Sequence, residues 1–358
     1  MLVSIILFLV VFSLVVLTHE LGHFWAARFF GVAIDEFGIG LPPRLWRKKN
    51  SDFSISIGAI PIGGYVRLRS SEGKKKLDKS SLEAQPPLVK MIVSLSGIFM
   101  NLVLAFIIFL FGFWLGLPPI ISQIDTLPTA SAESAKVQVI AVRQDSPAEK
   151  VGILPGDYIL QVGDEVVKTP DEVSEFTASS AGRELTLLLL RKSDELTVKA
   201  RPRWLDGRYS LGVVIDTSVL RARYAWWATP YLALLETGKT TQAVVKGFGA
   251  LFTRLFTEGQ LADELRGPVG IAQLTGEVAS LGFFRFLQFI ILLTINLAIL
   301  NILPLPALDG GRFLFGLAER ITRRRLKAEV ENAIHLMGFV LIIVLVIVVT
   351  YRDIIKLF

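Results

Sequence analysis

His19, Glu20 and His23 are the residues of this chain whose types and spacing suit catalysis. On a helix, positions i and i+4 share a face, so the two imidazoles can chelate one zinc ion while Glu20 takes a proton from a water beside it. A short H-E-x-x-H pattern also arises by chance, but the chain has only three histidines in 358 residues and two of them are in this motif. Residues 1–17 carry no charged side chain, so the motif ends an apolar run, where an ionisable triplet is costly and reads as functional. Cysteine is absent, so any metal must be held by histidine and carboxylate.

The elements that position these residues belong to a membrane. Hydrophobic residues make up 52% of the chain, charged residues 20%, and mean hydropathy is +0.55, a membrane-protein composition. Four stretches, 1–30, 91–117, 286–308 and 333–350, reach or approach the roughly 20 apolar residues that cross a bilayer core. The first lacks a basic leader and a small-residue cleavage site, so it is expected to stay as a span and not be removed as a signal peptide. The net charge of +6 comes with no basic tract interleaved with aromatics, so no nucleic-acid partner is expected.

Orientation follows from the short loops. Basic residues cluster between the first two spans, at Arg47, Lys48, Lys49, Lys74, Lys75 and Lys76, and between the last two, at Arg320, Arg323, Arg324, Arg325 and Lys327, whereas residues 118–135 have none. Positive loops stay cytoplasmic, which puts both termini outside and the motif near the cytoplasmic leaflet, with Arg323, Arg324 and Arg325 touching anionic lipid headgroups. Spans one and three then run in the same direction. Asp309, the one acid between Glu277 and Glu319, arrives on the same side as the histidines.

Residues 53–69 alternate apolar and polar on both sides of a glycine-rich turn, which predicts a β-hairpin in the first cytoplasmic loop. Pro61, Gly63 and Gly64 suit an apolar half that dips into the membrane beside the metal. The strand edge at Ile57 and Gly58 is a candidate for pairing with an extended substrate backbone; the alternative is a hairpin that only packs on the helices.

The long outside segment must hold a soluble domain. Residues 137–143 and 184–191 read as strands, Asp145, Ser146, Pro147, Ala148 and Glu149 open a short helix, and 171–178 is a second helix. This order, with Ser146-Pro147-Ala148 followed by Gly152, Leu154-Pro155-Gly156-Asp157 and Ile159, resembles a PDZ domain over residues 137–215. The resemblance implies that Ser210, Leu211, Gly212 and Val213 form a loop that receives a peptide C-terminus. Residues 217–282 read as helices at the outer interface, anchored by Trp226 and Trp227, and not as a fifth span.

The expected plan is a multi-pass α-helical membrane protein of four transmembrane helices, with a membrane-associated β-hairpin and one inserted extracytoplasmic PDZ domain. Residues 1–117 form the first half of the core, 118–216 the PDZ domain, 217–282 the interfacial helices and 283–358 the second half of the core.

Taken together, His19-Glu20-Leu21-Gly22-His23, Pro61-Ile62-Gly63-Gly64-Tyr65-Val66, the single PDZ-like domain, Gly267-Pro268-Val269-Gly270-Ile271-Ala272 and the run from Asn301 through Pro304 and Pro306 to Leu308-Asp309-Gly310 resemble the site-2 protease family of intramembrane zinc metalloproteases, in particular the bacterial branch that includes the regulator of sigma-E protease. The resemblance implies one zinc held by His19, His23 and Asp309, Glu20 as general base and acid, and Asn301 near the scissile bond. It also implies an enzyme of the bacterial inner membrane that cuts single-span membrane proteins, such as anti-sigma factors or remnant signal peptides. The sigma-E branch carries two PDZ domains where this chain has room for one, so the substrate class stays open. The rival reading is a non-catalytic membrane scaffold whose PDZ domain recruits extracytoplasmic peptides.

Other residues carry lesser expectations. Asn301 either contacts substrate or only holds the helix break made by Pro304 and Pro306. Asn101 is expected to bond between helices, and His335 to pack or sit at an interface and not to bind metal.

Overall fold

The computed structural model of the chain describes residues 2–49, 52–70, 78–122, 124, 127–191, 194–205, 207–258, 266–324 and 328–355. The basic residues Lys74, Lys75, Lys76, Arg325 and Lys327 lie outside the described residues.

In chain order, helix α1 (Leu2–Phe29) is followed by strands β1 (Ile34–Lys49) and β2 (Ser54–Leu68) and helix α2 (Pro87–Leu115). A β-rich region comes next: β3 (Ser131–Val142), α3 (Pro147–Lys150), β4 (Tyr158–Val162), β5 (Glu165–Val166), α4 (Pro170–Ser179), β6 (Leu185–Arg191), β7 (Asp194–Ala200), β8 (Arg203–Leu205), β9 (Arg208–Ser210) and β10 (Val213–Arg223). Helices α5 (Thr229–Glu258), α6 (Pro268–Ser280), α7 (Phe283–Ile302), α8 (Asp309–Thr322) and α9 (Ala328–Ile355) complete the chain. Two compact units result, one of Met1–Phe109, Thr237–Gly276 and Gln288–Phe358, the other of Leu110–Glu236 and Glu277–Leu287.

Among the described residues, α1, α2, α7 and Ala333–Ile355 of α9 are long and apolar enough to cross a membrane, and α5 and α6 are not among them. The third span ends at Ile302 and not at 308, because Pro304 and Pro306 can neither donate to a helical ladder nor let the residue before them stay helical. Leu2, Val3, Ile6, Val10 and Leu14 of α1 are exposed, an apolar face suited to lipid. Its other side lies close to α2: a Cβ on Gly22 would run into the Ser96 carbonyl, the close approach that small residues give membrane helices. Asn101 of α2 is fully buried, but the interhelical bond expected of it is not formed: neither atom of its amide has a partner among the described residues.

The first-loop sheet differs from the expected 53–69 hairpin. The two alternating segments do not pair with each other; both flank β1, where Phe37 faces Val66 and Ile55, and Gly38 faces Tyr65 and Ser56. Ile57 lies opposite both Ile39 and Trp46, and Gly58 is paired with Arg44 and crowded by Leu41, so these two residues offer no free edge. The outer segment is instead Gly64 to Leu68, which pairs only with 34–39. The sheet is held to α1 by Phe24, whose ring meets Phe37 at 5.7 Å and Phe53 at 5.1 Å. The Pro61–Gly64 turn is pinned by Ser13, which accepts from Gly63 N at 3.0 Å. Inside the sheet, Glu36 is buried and accepts from Tyr65 Oη at 2.8 Å and from Arg44 at 2.6 Å. Burial alone would push its carboxyl up, but hydrogen bonds from Ser56 and Tyr65 and the Arg44 guanidinium hold it below the usual carboxylate range.

In the same unit, Gly270 donates its backbone N–H to Asp353 of α9 at 2.7 Å, a carboxylate at the first turn of α6, where the helix dipole favours it. Gly267 and Gly270 leave room for that side chain.

In the second unit the sheet order is β10-β3-β4-β6-β7, with β5 on β4, around a core that includes Val137, Val139, Ile159, Leu187, Leu189 and Leu211. Ser146 caps α3, and Thr169 with Glu172 forms a capping box on α4. Asp157 is buried and takes a bidentate pair from Arg191, both contacts 2.7 Å, while also accepting from Leu154 N at 2.9 Å. β10 continues past the boundary expected at 216, because its ladder with β3 runs on to the pair Arg223 and Ser131. Buried Glu236 gathers three backbone N–H groups, Ile120 at 2.8 Å, Ile121 at 2.6 Å and Ser122 at 3.1 Å, and so fixes the chain after α2.

Candidate active site

His19 and His23 are one turn apart on α1, with Nε2 atoms 3.2 Å apart. Asp309 opens α8, and its Oδ2 lies 2.8 Å from His19 Nε2 and 3.1 Å from His23 Nε2. Three donor atoms from sites nearly three hundred residues apart in sequence thus form one small triangle, and this is the His/Asp group among the described residues that could hold a metal ion. Donors at about 2.0–2.1 Å from a tetrahedral zinc ion stand about 3.3 Å apart, close to the spacing seen, and leave one position open.

The chain also sets the imidazole tautomer. His23 Nδ1 is 2.8 Å from the Val93 carbonyl of α2, and a carbonyl only accepts, so Nδ1 carries the proton and Nε2 keeps its lone pair for a metal. His19 Nδ1 is buried with no hydrogen-bond partner among the described residues. Gly97 of α2 supplies the space: a Cβ there would stand 2.5 Å from His23 Nε2 and 2.8 Å from His19 Nε2. The residues fit zinc on donor chemistry and room, and at His23 on tautomer.

Asp309 reaches this point because of what precedes it. After Ile302 the chain runs through Pro304 and Pro306, and Ala307 takes a positive φ of 76° before Leu308 and Asp309. Gly310 lies against the carbonyls of Ile302 and Leu303, so the new helix starts tight against the end of the old one. Asn301 Nδ2 is 3.5 Å from His19 Nε2, which directs its amide toward the site.

Glu20 follows His19 on α1 and is not one of the three donors. Its Oε2 accepts from Val66 N at 2.8 Å, so the outer segment of the sheet fixes the carboxylate. A cavity of about 990 Å³ opens here, lined by His19, Glu20, Tyr65, Asn301, Asp309 and His335. The sequence-predicted His19, Glu20, His23, Asp309 and Asn301 therefore meet in one place. Ile57 and Gly58 do not line it; residues 65–70 do. Leu211, Gly212 and Val213 belong to the second unit: Leu211 is in its core, and the carbonyls of Leu211 and Gly212 accept from Ala148 N at 3.0 Å and Arg143 N at 2.9 Å. Sequence reasoning missed Val66, Val93 and Gly97, which act through backbone atoms or the lack of a side chain.

Two helical histidines, a carboxylate third donor and a second carboxylate alongside define a zinc hydrolase site, and here its histidines lie on α1, a helix long and apolar enough to cross a membrane. The model of Peptidase family M50, the site-2 protease family, matches residues 7–345, and the chain belongs to that family. A Clostridium perfringens protein whose name is that of a zinc metalloprotease is 33% identical over 98% of this chain and 98% of its own length. A Campylobacter jejuni protein named in the same way is 29% identical over 96% of this chain and 91% of its own. Among solved structures, the PDZ domain of an SdrC-like protein from Listeria monocytogenes is 19% identical over 22% of this chain and 86% of that chain, with a TM-score of 0.21. The chain is a membrane zinc metalloprotease, which sets aside the non-catalytic scaffold.

Proposed function

We propose that this protein is an intramembrane endopeptidase that cuts single-span membrane proteins within the bilayer, near the cytoplasmic leaflet of the bacterial inner membrane. The observation that carries the reading is the meeting of His19 and His23, on the apolar helix α1, with Asp309 at the start of α8, Glu20 beside them. Zinc bound by the three donors supplies Lewis acidity, polarising a carbonyl and lowering the pKa of water to about 7. Glu20, held by the Val66 N–H, accepts the proton of the attacking water on its carboxylate and passes it to the leaving amine. Asn301 positions the substrate amide from the side of α7. Tyr65 to Leu68 present the outer edge of the first-loop sheet to the cavity, where an unwound substrate segment can pair as an added strand. The β-rich region is read as a PDZ domain: α4 packs on β9 and β10, and β10 is the edge of the sheet, a groove in which residues 210–213 receive a peptide C-terminus.

A peptide bond inside a transmembrane helix has its carbonyl and N–H already paired, so the substrate must unwind before attack. The test is a single-span substrate carrying a Gly or Pro breaker, co-reconstituted with the enzyme in vesicles. Cleavage near the breaker is expected, and replacing the breaker with Leu should slow it by about tenfold or more, the cost of unwinding a sound helix. Equal cleavage of both substrates, or of neither by a zinc-loaded enzyme, contradicts the proposal.

A further inference from the structure

We infer that His335, on the fourth span, is a positioning residue that holds the segment before Asp309 so that its carboxylate meets His19 and His23. The inference rests on the proposed role of Asp309 as a zinc ligand.

The segment needs holding. Pro304 and Pro306 have no N–H to tie it down, and Ala307 has a left-handed φ of 76°, which is strained for a non-glycine residue and persists only where the surroundings enforce it. Helix α9 does so at two points. Ala307 donates its backbone N–H to His335 Nδ1 at 2.9 Å. One turn further on, Gly338 lets the Pro306 carbonyl and ring come so close that any Cβ would overlap them. Residues 306 and 307 are thus gripped by the i and i+3 positions of one helix face, two residues short of the ligand.

The ring is itself constrained. A backbone N–H only donates, so Nδ1 must accept and the ring proton sits on Nε2. That nitrogen is buried, lies 4.0 Å from Glu331 Oε1 one turn earlier on α9, and has no hydrogen-bond partner among the described residues. The edge of the ring stands against Phe315 of α8, centroids 5.2 Å apart at 74°. Ala307 and Phe315 therefore hold the imidazole from two sides, and α8, the helix that begins with Asp309, is held through the same ring. His335 lines the cavity, but it is not one of the zinc donors and its Nδ1 is taken by the Ala307 N–H, so it acts through Asp309 and not on the reacting atoms.

The experiment compares His335→Phe, which keeps the ring volume and the Phe315 contact but has no acceptor, with His335→Asn, whose Oδ1 can stand where Nδ1 stood. Full-length protein in lipid nanodiscs is loaded with zinc, and transfer to a chromophoric chelator is timed; the visible spectrum of the cobalt-loaded protein and kcat and KM are measured in parallel. Loss of such outer partners typically costs 10–100-fold in metal affinity or activity, so His335→Phe should release zinc about 10–100-fold faster, shift the cobalt bands and lose kcat with KM little changed, while His335→Asn restores all three. Native zinc release and kcat in folded His335→Phe overturn the inference. If His335→Phe does not fold, His335→Asn decides alone: native values support the inference, and fast release with low kcat overturns it. Asp309→Asn in the same assay separates the two readings. If it leaves zinc release unchanged, the ligand assignment itself falls; if it speeds release and His335→Phe does not, only the role of His335 falls.

Discussion

Glu20→Gln is expected to keep one zinc per chain and to lower kcat by about 10²- to 10⁴-fold, the usual worth of a general acid and base. The two effects separate because Glu20 is outside the donor triangle of His19, His23 and Asp309. The amide oxygen of Gln can still accept from Val66 N, so the sheet should stay docked and the variant should fold. What it cannot do is receive a proton. Zinc by atomic absorption and turnover of a single-span substrate, on the same preparation, check this. Turnover within a few-fold of the parent protein would mean that another group moves the proton; loss of zinc would mean that Glu20 is a ligand.

Gly97→Ala is expected to be nearly as damaging, through geometry alone. The added methyl would stand 2.5 Å from His23 Nε2 and 2.8 Å from His19 Nε2, within the space where the donors converge. Neither histidine has slack: His23 is tied to Val93, and α1 already lies against α2 at Gly22. Zinc content should fall well below one per chain, and kcat/KM should fall about 100-fold, the scale of a misplacement of about 1 Å in a catalytic constellation. Gly247→Ala, on α5 where nothing lies within 4 Å, is the control; it should change neither zinc nor turnover and add slightly to helix stability. Full zinc occupancy with normal turnover in Gly97→Ala would show that the donors meet elsewhere.

The parts of the site that could be read from sequence are those that depend on side-chain type and on the bilayer as a constraint. Two histidines at helical spacing, a lone acid after a double-proline break, and apolar runs long enough to span together bring His19, His23 and Asp309 to one place, because membrane helices have few ways to arrange their ends. The helix-strand order of 137–191 was legible for a similar reason: capping residues such as Ser146 and Thr169, and alternation in strands, are local signals. β1 was not legible. Gly38, Gly40, Pro42 and Pro43 break its alternation, and its pairing with two separate parts of β2 is tertiary, so residues 53–69 looked like a self-contained hairpin and Ile57 and Gly58 like its edge. His335 reads in sequence only as a packing or interfacial residue. Its partner is a backbone N–H, which has no signature in sequence.

Zinc K-edge X-ray absorption on the purified full-length protein, beside the Asp309→Ala variant, tests the convergence most directly. The account predicts one zinc per chain with nitrogen and oxygen neighbours at about 2.0–2.1 Å and outer scattering from two imidazoles, and one oxygen neighbour lost in the variant. A parent protein without stoichiometric zinc, or a zinc site whose spectrum Asp309→Ala leaves unchanged, would contradict it.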